Sequence, residues 1–170
     1  MLVGTSGSGK STTGERIARD LGQPFIELDE LFWSGDWQPK PAREFLALVR
    51  AAAAGERWVV VGNYGSARPD LWPRASAVIW LNFGIAVVLR RVVARTIRRL
   101  VHREVLWHGN RESWRRTLFS RDSIVWWTLT THNRRKREFA ALRRCDAYSH
   151  LHWYEFTRPA DVEHFLGHER

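Results

Sequence analysis

The run Gly4-Thr5-Ser6-Gly7-Ser8-Gly9-Lys10-Ser11-Thr12 contains the spacing G-x-x-x-x-G-K-[ST], met at Gly4, Gly9, Lys10 and Ser11. Each residue type in it has a physical purpose. Glycines let a loop curl until its N–H groups converge on an oxyanion. A lysine at this place reaches the β- and γ-phosphates of a nucleotide as a point charge, and the hydroxyl after it ligates Mg²⁺. A helix that starts there adds its positive dipole end. Residues Gly4 to Thr12 are therefore expected to hold the phosphates of ATP or GTP, with Lys10 acting on the transferred group and Ser11 as metal ligand.

Two carboxylates follow, Glu27 and Asp29, two apart at the end of an apolar run. On a strand that spacing puts both on one face, and carboxyl ends of strands are where open α/β sheets bind ligands. Asp29 could orient an acceptor hydroxyl, and either group could hold the water shell of Mg²⁺. The plainer alternative has Asp29 capping a helical turn at Glu30–Trp33. The next apolar run, Trp58-Val59-Val60-Val61, ends in Gly62-Asn63-Tyr64 with no acid. Phosphate-loop enzymes usually place an Asp there to help secure Mg²⁺, so weaker metal binding is expected, and Val61→Asp tests it.

Positive charge gathers in one segment. Residues 83–144 hold 16 Arg/Lys and four acids, whereas the whole chain carries a net +9. Arg91, Arg95, Arg98 and His102 share one helical stripe, and Arg134-Arg135-Lys136-Arg137 form a second cluster. Arginines near a transferring phosphoryl group can contribute about 10³–10⁵ in rate; Arg91, Arg95, Arg134 and Arg135 are the candidates. A solvated basic face is the plain alternative for any one of them. His150 and His152 alternate on a strand but lack a third ligand in the sequence. Trp126-Trp127 suits packing or lid closure better than base stacking, while Trp33 and Trp37 could wall an acceptor pocket.

These groups need elements to hold them. Leu2-Val3 reads as the end of a strand feeding the loop; with three residues before Gly4, a late recorded start is expected, with Met1–Val3 still pairing at the sheet centre. Helix is expected over 11–21, 41–54, 85–103, 112–142 (in one or two pieces) and 159–166, and strand over 25–28, 58–61, 77–81 and 148–153. The helix from Ile85 should bury Ile85, Leu89, Val92 or Val93, Ile97 and Leu100. Strands alternating with helices predict a three-layer α/β sandwich with a mainly parallel five-stranded sheet. The whole chain, 1–170, reads as one domain, with residues of about 84–144 as an arginine-rich helical lid.

With 170 residues and 44% hydrophobic content, the chain can build a real core. No apolar run is long enough to span a bilayer. Its one cysteine, Cys145, rules out an internal disulfide and reads as a small buried residue. A cytoplasmic protein without a membrane partner is expected.

The phosphate loop, Phe25-Ile26-Glu27-Leu28-Asp29, Val61-Gly62-Asn63-Tyr64, Trp72-Pro73-Arg74, Trp80-Leu81, Leu106-Trp107-His108-Gly109-Asn110-Arg111-Glu112 and Trp126-Trp127 occur in that order. Together they resemble bacterial adenylate-kinase-related phosphate-loop proteins of the DNA topology modulation, or FlaR-like, type. The resemblance implies a nucleoside-monophosphate-kinase-type fold, ATP binding and phosphotransfer to a small acceptor. It also implies lid arginines that close over ATP. The family pattern has Asp where this chain has Val61, and Asp where it has Asn82. The leading expectation is a kinase of a nucleotide or other small acceptor. The alternatives are a nucleotide-binding protein that touches nucleic acid through its basic lid, and a degenerate ATP binder.

Overall fold

A computed structural model describes residues 1–102, 104–110 and 124–167. Five strands form one sheet in the order β2-β3-β1-β4-β5: β1 (Leu2–Gly4), β2 (Phe25–Glu27), β3 (Val59–Val61), β4 (Ala77–Leu81) and β5 (His152–Phe156). All four pairings are parallel. Short as it is, β1 takes the sheet centre, with Leu2 registered on Val61 on one side and Ile79 on the other. The continuous Val59-Val60-Val61 run is buried on both faces, as a parallel sheet requires.

Helices cover both faces: α1 (Lys10–Asp20), α2 (Leu28–Phe32), α3 (Ala42–Ala52), α4 (Arg68–Leu71), α5 (Ile85–Val101), α6 (Ile124–Arg143) and α7 (Pro159–Gly167). One core holds Val3, Ile26, Val60, Val78 and Trp80 with Phe45 of α3 and Phe139 of α6. The other holds Leu2, Val59, Val61, Ile79 and Leu81 with Ala18 of α1, Val88 and Val92 of α5, and Val162 of α7. Among the described residues no helix is long and apolar enough to cross a membrane.

Several expected boundaries move. Strand β2 stops at Glu27, and Leu28 already opens α2, so Asp29 leaves from a helical turn. The last strand begins at His152; the segment before it is a short 3-10 turn over Asp146–Tyr148. Cys145 is exposed, against expectation, because it sits in the turn between α6 and that segment and not on a core face. Trp126 and Trp127 lie largely exposed on α6, so they are not core residues. The part of the 112–142 helix before Ile124 lies outside the described residues, as do Arg103, Arg111 and Glu112.

Val92 and Leu100 of α5 are buried as expected, but the rest of the buried face is rotated from Ile85, Leu89 and Ile97. Val88, Val92, Thr96 and Leu100 point inward, while Val93 is 39% and Ile97 47% exposed. The cause is contact with the glycine-rich loop: a Cβ on Gly7 would lie 2.4 Å from Val92 Cγ2 and 3.0 Å from the Val88 carbonyl. Burying a valine contributes roughly 1.5–3 kcal/mol, against about 0–1 kcal/mol for an exposed ion pair. Packing therefore sets the rotation, and the arginines follow it.

Candidate active site

Strand β1 ends at Gly4, whose φ of 148° turns the chain sharply out of the sheet. A Cβ there would meet the Leu81 carbonyl at 2.7 Å, so glycine is required. The loop closes on itself through Ser8 N–H to the Thr5 carbonyl, 3.1 Å. Gly9, left-handed at φ 93°, then turns the chain into α1. Asn63 anchors the entry: Gly4 N–H donates to its Oδ1 at 3.1 Å, and its Nδ2 donates to the Gly4 carbonyl at 2.6 Å. Its side chain thus extends the β1–β3 pairing past the strand ends.

The charged groups converge around this loop. Lys10 Nζ reaches back to the Thr5 carbonyl at 3.2 Å. Burial, chiefly, draws its pKa from 10.5 to about 8; Arg95 and Arg135 push the same way, opposed by Asp29 and Glu27. Ser8 Oγ is buried with no hydrogen-bond partner among the described residues. An orphan hydroxyl in an amide-lined loop beside an ammonium group fits phosphate oxygens.

Ser11 Oγ donates to Glu27 Oε1 at 2.6 Å. Glu27 is registered on Val61, so its carboxylate stands one strand over from the place where an acid was missed, on the same sheet face. Burial raises its pKa, with Asp29 and Glu15 adding to the rise and Ser11 and Lys10 opposing it. Val61 itself is fully buried under α1, where a Cβ on Gly14 would lie 2.4 Å from its Cγ2. The donor set of Ser11 and Glu27 is hard oxygen, which suits Mg²⁺.

Asp29 does not cap a turn at Glu30–Trp33, since it lies inside α2 and the N-cap position falls to Glu27. Its Oδ1 accepts a 2.6 Å hydrogen bond from Tyr64 Oη. Burial and the neighbouring carboxylate keep the phenol protonated by raising its pKa. Around the pair stand Phe32, 4.7 Å from the Tyr64 ring, and Trp33, 4.9 Å from Phe32.

The arginines divide. Arg91 Nη1 donates to the Ser8 carbonyl at 3.1 Å while its guanidinium lies over Phe83. Arg95 and Arg135 both act on Lys10 through their charge. Arg135 is held by Glu138 at 2.9 Å, and the other oxygen of that carboxylate binds Arg68 at 2.6 Å. Arg134, one residue from Arg135, faces solvent. Arg98 turns away to Glu104 at 3.0 Å, so the expected stripe splits after Arg95. Thr12 is exposed on α1, past the loop.

One contact was not legible as a function. Thr5 Oγ1 lies 3.3 Å from Nδ1 of His132, a buried residue of α6 whose pKa burial pushes down, helped by Lys136. The available signal was spacing: Thr128, His132, Arg135 and Phe139 recur along one face of α6. Among the described residues no group of three His, Cys, Asp or Glu is placed to hold a metal, and His150 instead meets the Trp72 carbonyl.

No protein-family model matches the chain. Over 132 residues it is 30% identical to a shikimate kinase from Synechococcus elongatus, a match that takes in 65% of this chain and 70% of that protein. Among solved structures, a shikimate kinase from Bacteroides thetaiotaomicron superposes with TM-score 0.56 at 17% identity, over 98% of this chain and 93% of the other. A gluconokinase from Sinorhizobium meliloti gives TM-score 0.53 at 22% identity, over 99% and 88%. These two structures share the fold. With the sequence relationship and the phosphate-loop geometry, they lead to one assignment: the chain belongs to the P-loop kinases, the family of shikimate kinase.

Proposed function

We propose that this P-loop kinase transfers the γ-phosphoryl group of ATP to a hydroxyl of a small acceptor, with Asp29 as the group that orients that hydroxyl. The observation that carries the reading is the convergence of Lys10, Ser11, Glu27, Asp29 and Tyr64 where β1, β2 and β3 end. The loop amides and Lys10 hold the phosphates. Ser11 and Glu27 would hold Mg²⁺, which would supply positive charge to offset that of the phosphates. Asp29, fixed by Tyr64, accepts the acceptor proton. Arg91, Arg95 and Arg135 supply positive charge beside the transferred group, and Arg134 does not share that role. The α5–α6 region, about 84–144, serves as the lid of one domain, and a cytoplasmic setting suits a nucleotide-dependent enzyme.

A hydroxylated acid such as shikimate, the substrate in the relative's name, is the first acceptor to try, because the sequence relationship is to that kinase. The resemblance to the DNA topology modulation type rests on segments from the phosphate loop to Trp126-Trp127, of which residues 72–74 and 106–112 are the most particular, and nucleic acid is not the favoured partner. Nucleoside monophosphates belong in the same panel, since the adenylate-kinase likeness names them.

The test is phosphoryl transfer from Mg·ATP to shikimate, other hydroxy acids and nucleoside monophosphates. Transfer to one of them, lost by about 10²–10⁴-fold in Asp29→Asn with ATP binding intact, is expected. An Asp29→Asn enzyme that transfers as fast as the parent overturns the assignment of Asp29.

A further inference from the structure

The segment after α5 does not simply lead away from the site. Asn110 is 3% exposed, and both ends of its side chain are used. Its Oδ1 accepts from the Trp37 N–H at 2.9 Å, and its Nδ2 donates to the Ser34 carbonyl at 2.8 Å. Its own carbonyl accepts from Leu106 N–H at 2.7 Å, closing the turn that presents it. His108 Nε2 adds a second tie, 3.0 Å from the Glu30 carbonyl. A residue 73 positions downstream of Trp37 thus does the work of a local turn for the loop at 34–37.

Backbone strain gathers at the same contact. Among the described residues three non-glycine positions have positive φ: Asp36 at 55°, Trp37 at 56° and His108 at 57°. All three lie on the two sides of this tie. A left-handed tryptophan persists only where its surroundings hold it, and Asn110 binds the Trp37 amide directly.

The tie continues into the site on one side and into the phosphate loop on the other. Trp37 meets Trp33 edge-on at 5.9 Å, Trp33 meets Phe32, Phe32 meets Tyr64, and Tyr64 binds Asp29. In the other direction Glu104 pairs with Arg98 and Arg99 at the end of α5, whose Val92 and Arg91 rest on Gly7 and Ser8. We infer that Asn110 is a positioning residue: it latches the Trp33–Trp37 wall of the acceptor pocket to the stem of α5, so that nucleotide occupancy of the phosphate loop is felt at that wall. This inference rests on the reading of Asp29 as the group that orients the acceptor, with Trp33 and Trp37 as the expected wall beside it.

Amide hydrogen exchange, without and with the Mg complex of a non-hydrolysable ATP analogue, tests it on the full chain. In Asn110→Ala, residues 34–38 should exchange at least about tenfold faster, while Val59–Val61 stay as protected as in the parent. Asn110→Asp keeps an oxygen for the Trp37 N–H and should restore most of that protection. The analogue should slow exchange at 34–38 in the parent but not in Asn110→Ala, although it slows Gly4–Ser11 in both. Equal exchange at 34–38 in the parent and Asn110→Ala, or equal slowing by the analogue, overturns the latch. His108→Ala, at an exposed position, gives the same readout at smaller amplitude should Asn110→Ala not fold; no change there overturns it as well. Absence of protection at Gly4–Ser11 in the parent would instead count against nucleotide binding, leaving the ligand-free comparison to decide the latch.

Discussion

At the scale of single residues, the site works by placing cationic and anionic groups close together in a partly dry setting. Lys10 shows the consequence. Its pKa, lowered to about 8 by burial and by Arg95 and Arg135, means the folded chain releases a proton where the unfolded chain still holds one. Linkage then makes this group's contribution to stability rise with pH between about 8 and 10.5. Phosphates draw the ammonium form back, so nucleotide binding near pH 8.5 should take up a proton. Calorimetry in two buffers of different ionisation enthalpy reads this directly; identical heats at that pH would contradict it. Glu27 changes the expectation for Val61. With a carboxylate already registered beside Val61 and bonded to Ser11, Val61→Asp should bury a second acid under α1 and lower the melting temperature without raising turnover. Glu27→Gln should instead raise the Mg²⁺ concentration needed for half-maximal rate, by about tenfold for one charged contact. A large gain in turnover from Val61→Asp would show that Glu27 does not fill the role.

At the scale of elements, α5 is a part of the phosphate loop as much as a lid. Gly7→Ala would drive a methyl into Val92 and hold alanine at φ 77°, so a loss of about 1–3 kcal/mol is expected. Urea unfolding measures it, and a variant as stable as the parent would mean that α5 does not dock there. The same contact explains why sequence periodicity found Val92 and Leu100 of this helix but not Val88 and Thr96. Alternating pairs of apolar residues allow two faces, and only the partner, a glycine, decides between Val92 and Val93. Other features were legible because they are local. The glycine spacing located the loop, and the Val59–Val61 run located a buried strand. The Glu27–Asp29 pair was found for the wrong reason, as neighbours on a strand; a helical turn brings Asp29 to Tyr64. His132 and Asn110 were not legible as parts of the site, because each acts on a segment far away in the chain.

At the scale of the whole molecule, the basic segment is less bare than its composition suggests. Glu138 takes Arg68 and Arg135, Glu104 takes Arg98 and Arg99, and Glu155 takes Arg143. Three acids thus offset part of the charge of five arginines, four of them in the basic segment, while Arg91 meets the loop and Arg95 and Arg135 bear on Lys10. The remaining like charges still repel. Raising salt from about 20 to about 200 mM shortens the reach of that repulsion, so the melting temperature of the ligand-free protein should rise, and differential scanning fluorimetry would show it. A fall would mean that favourable ion pairs outweigh the repulsion.

In the proposed function the amides of Gly4–Gly9 and the Lys10 ammonium grip a nucleoside triphosphate. Isothermal calorimetry of Mg·ATP with the parent chain and with Lys10→Ala measures that grip. Saturable binding by the parent, weakened by about 10–100-fold in Lys10→Ala, is the expected result. No binding by the folded parent, or equal affinity in the two proteins, would show that the loop and Lys10 do not hold the nucleotide.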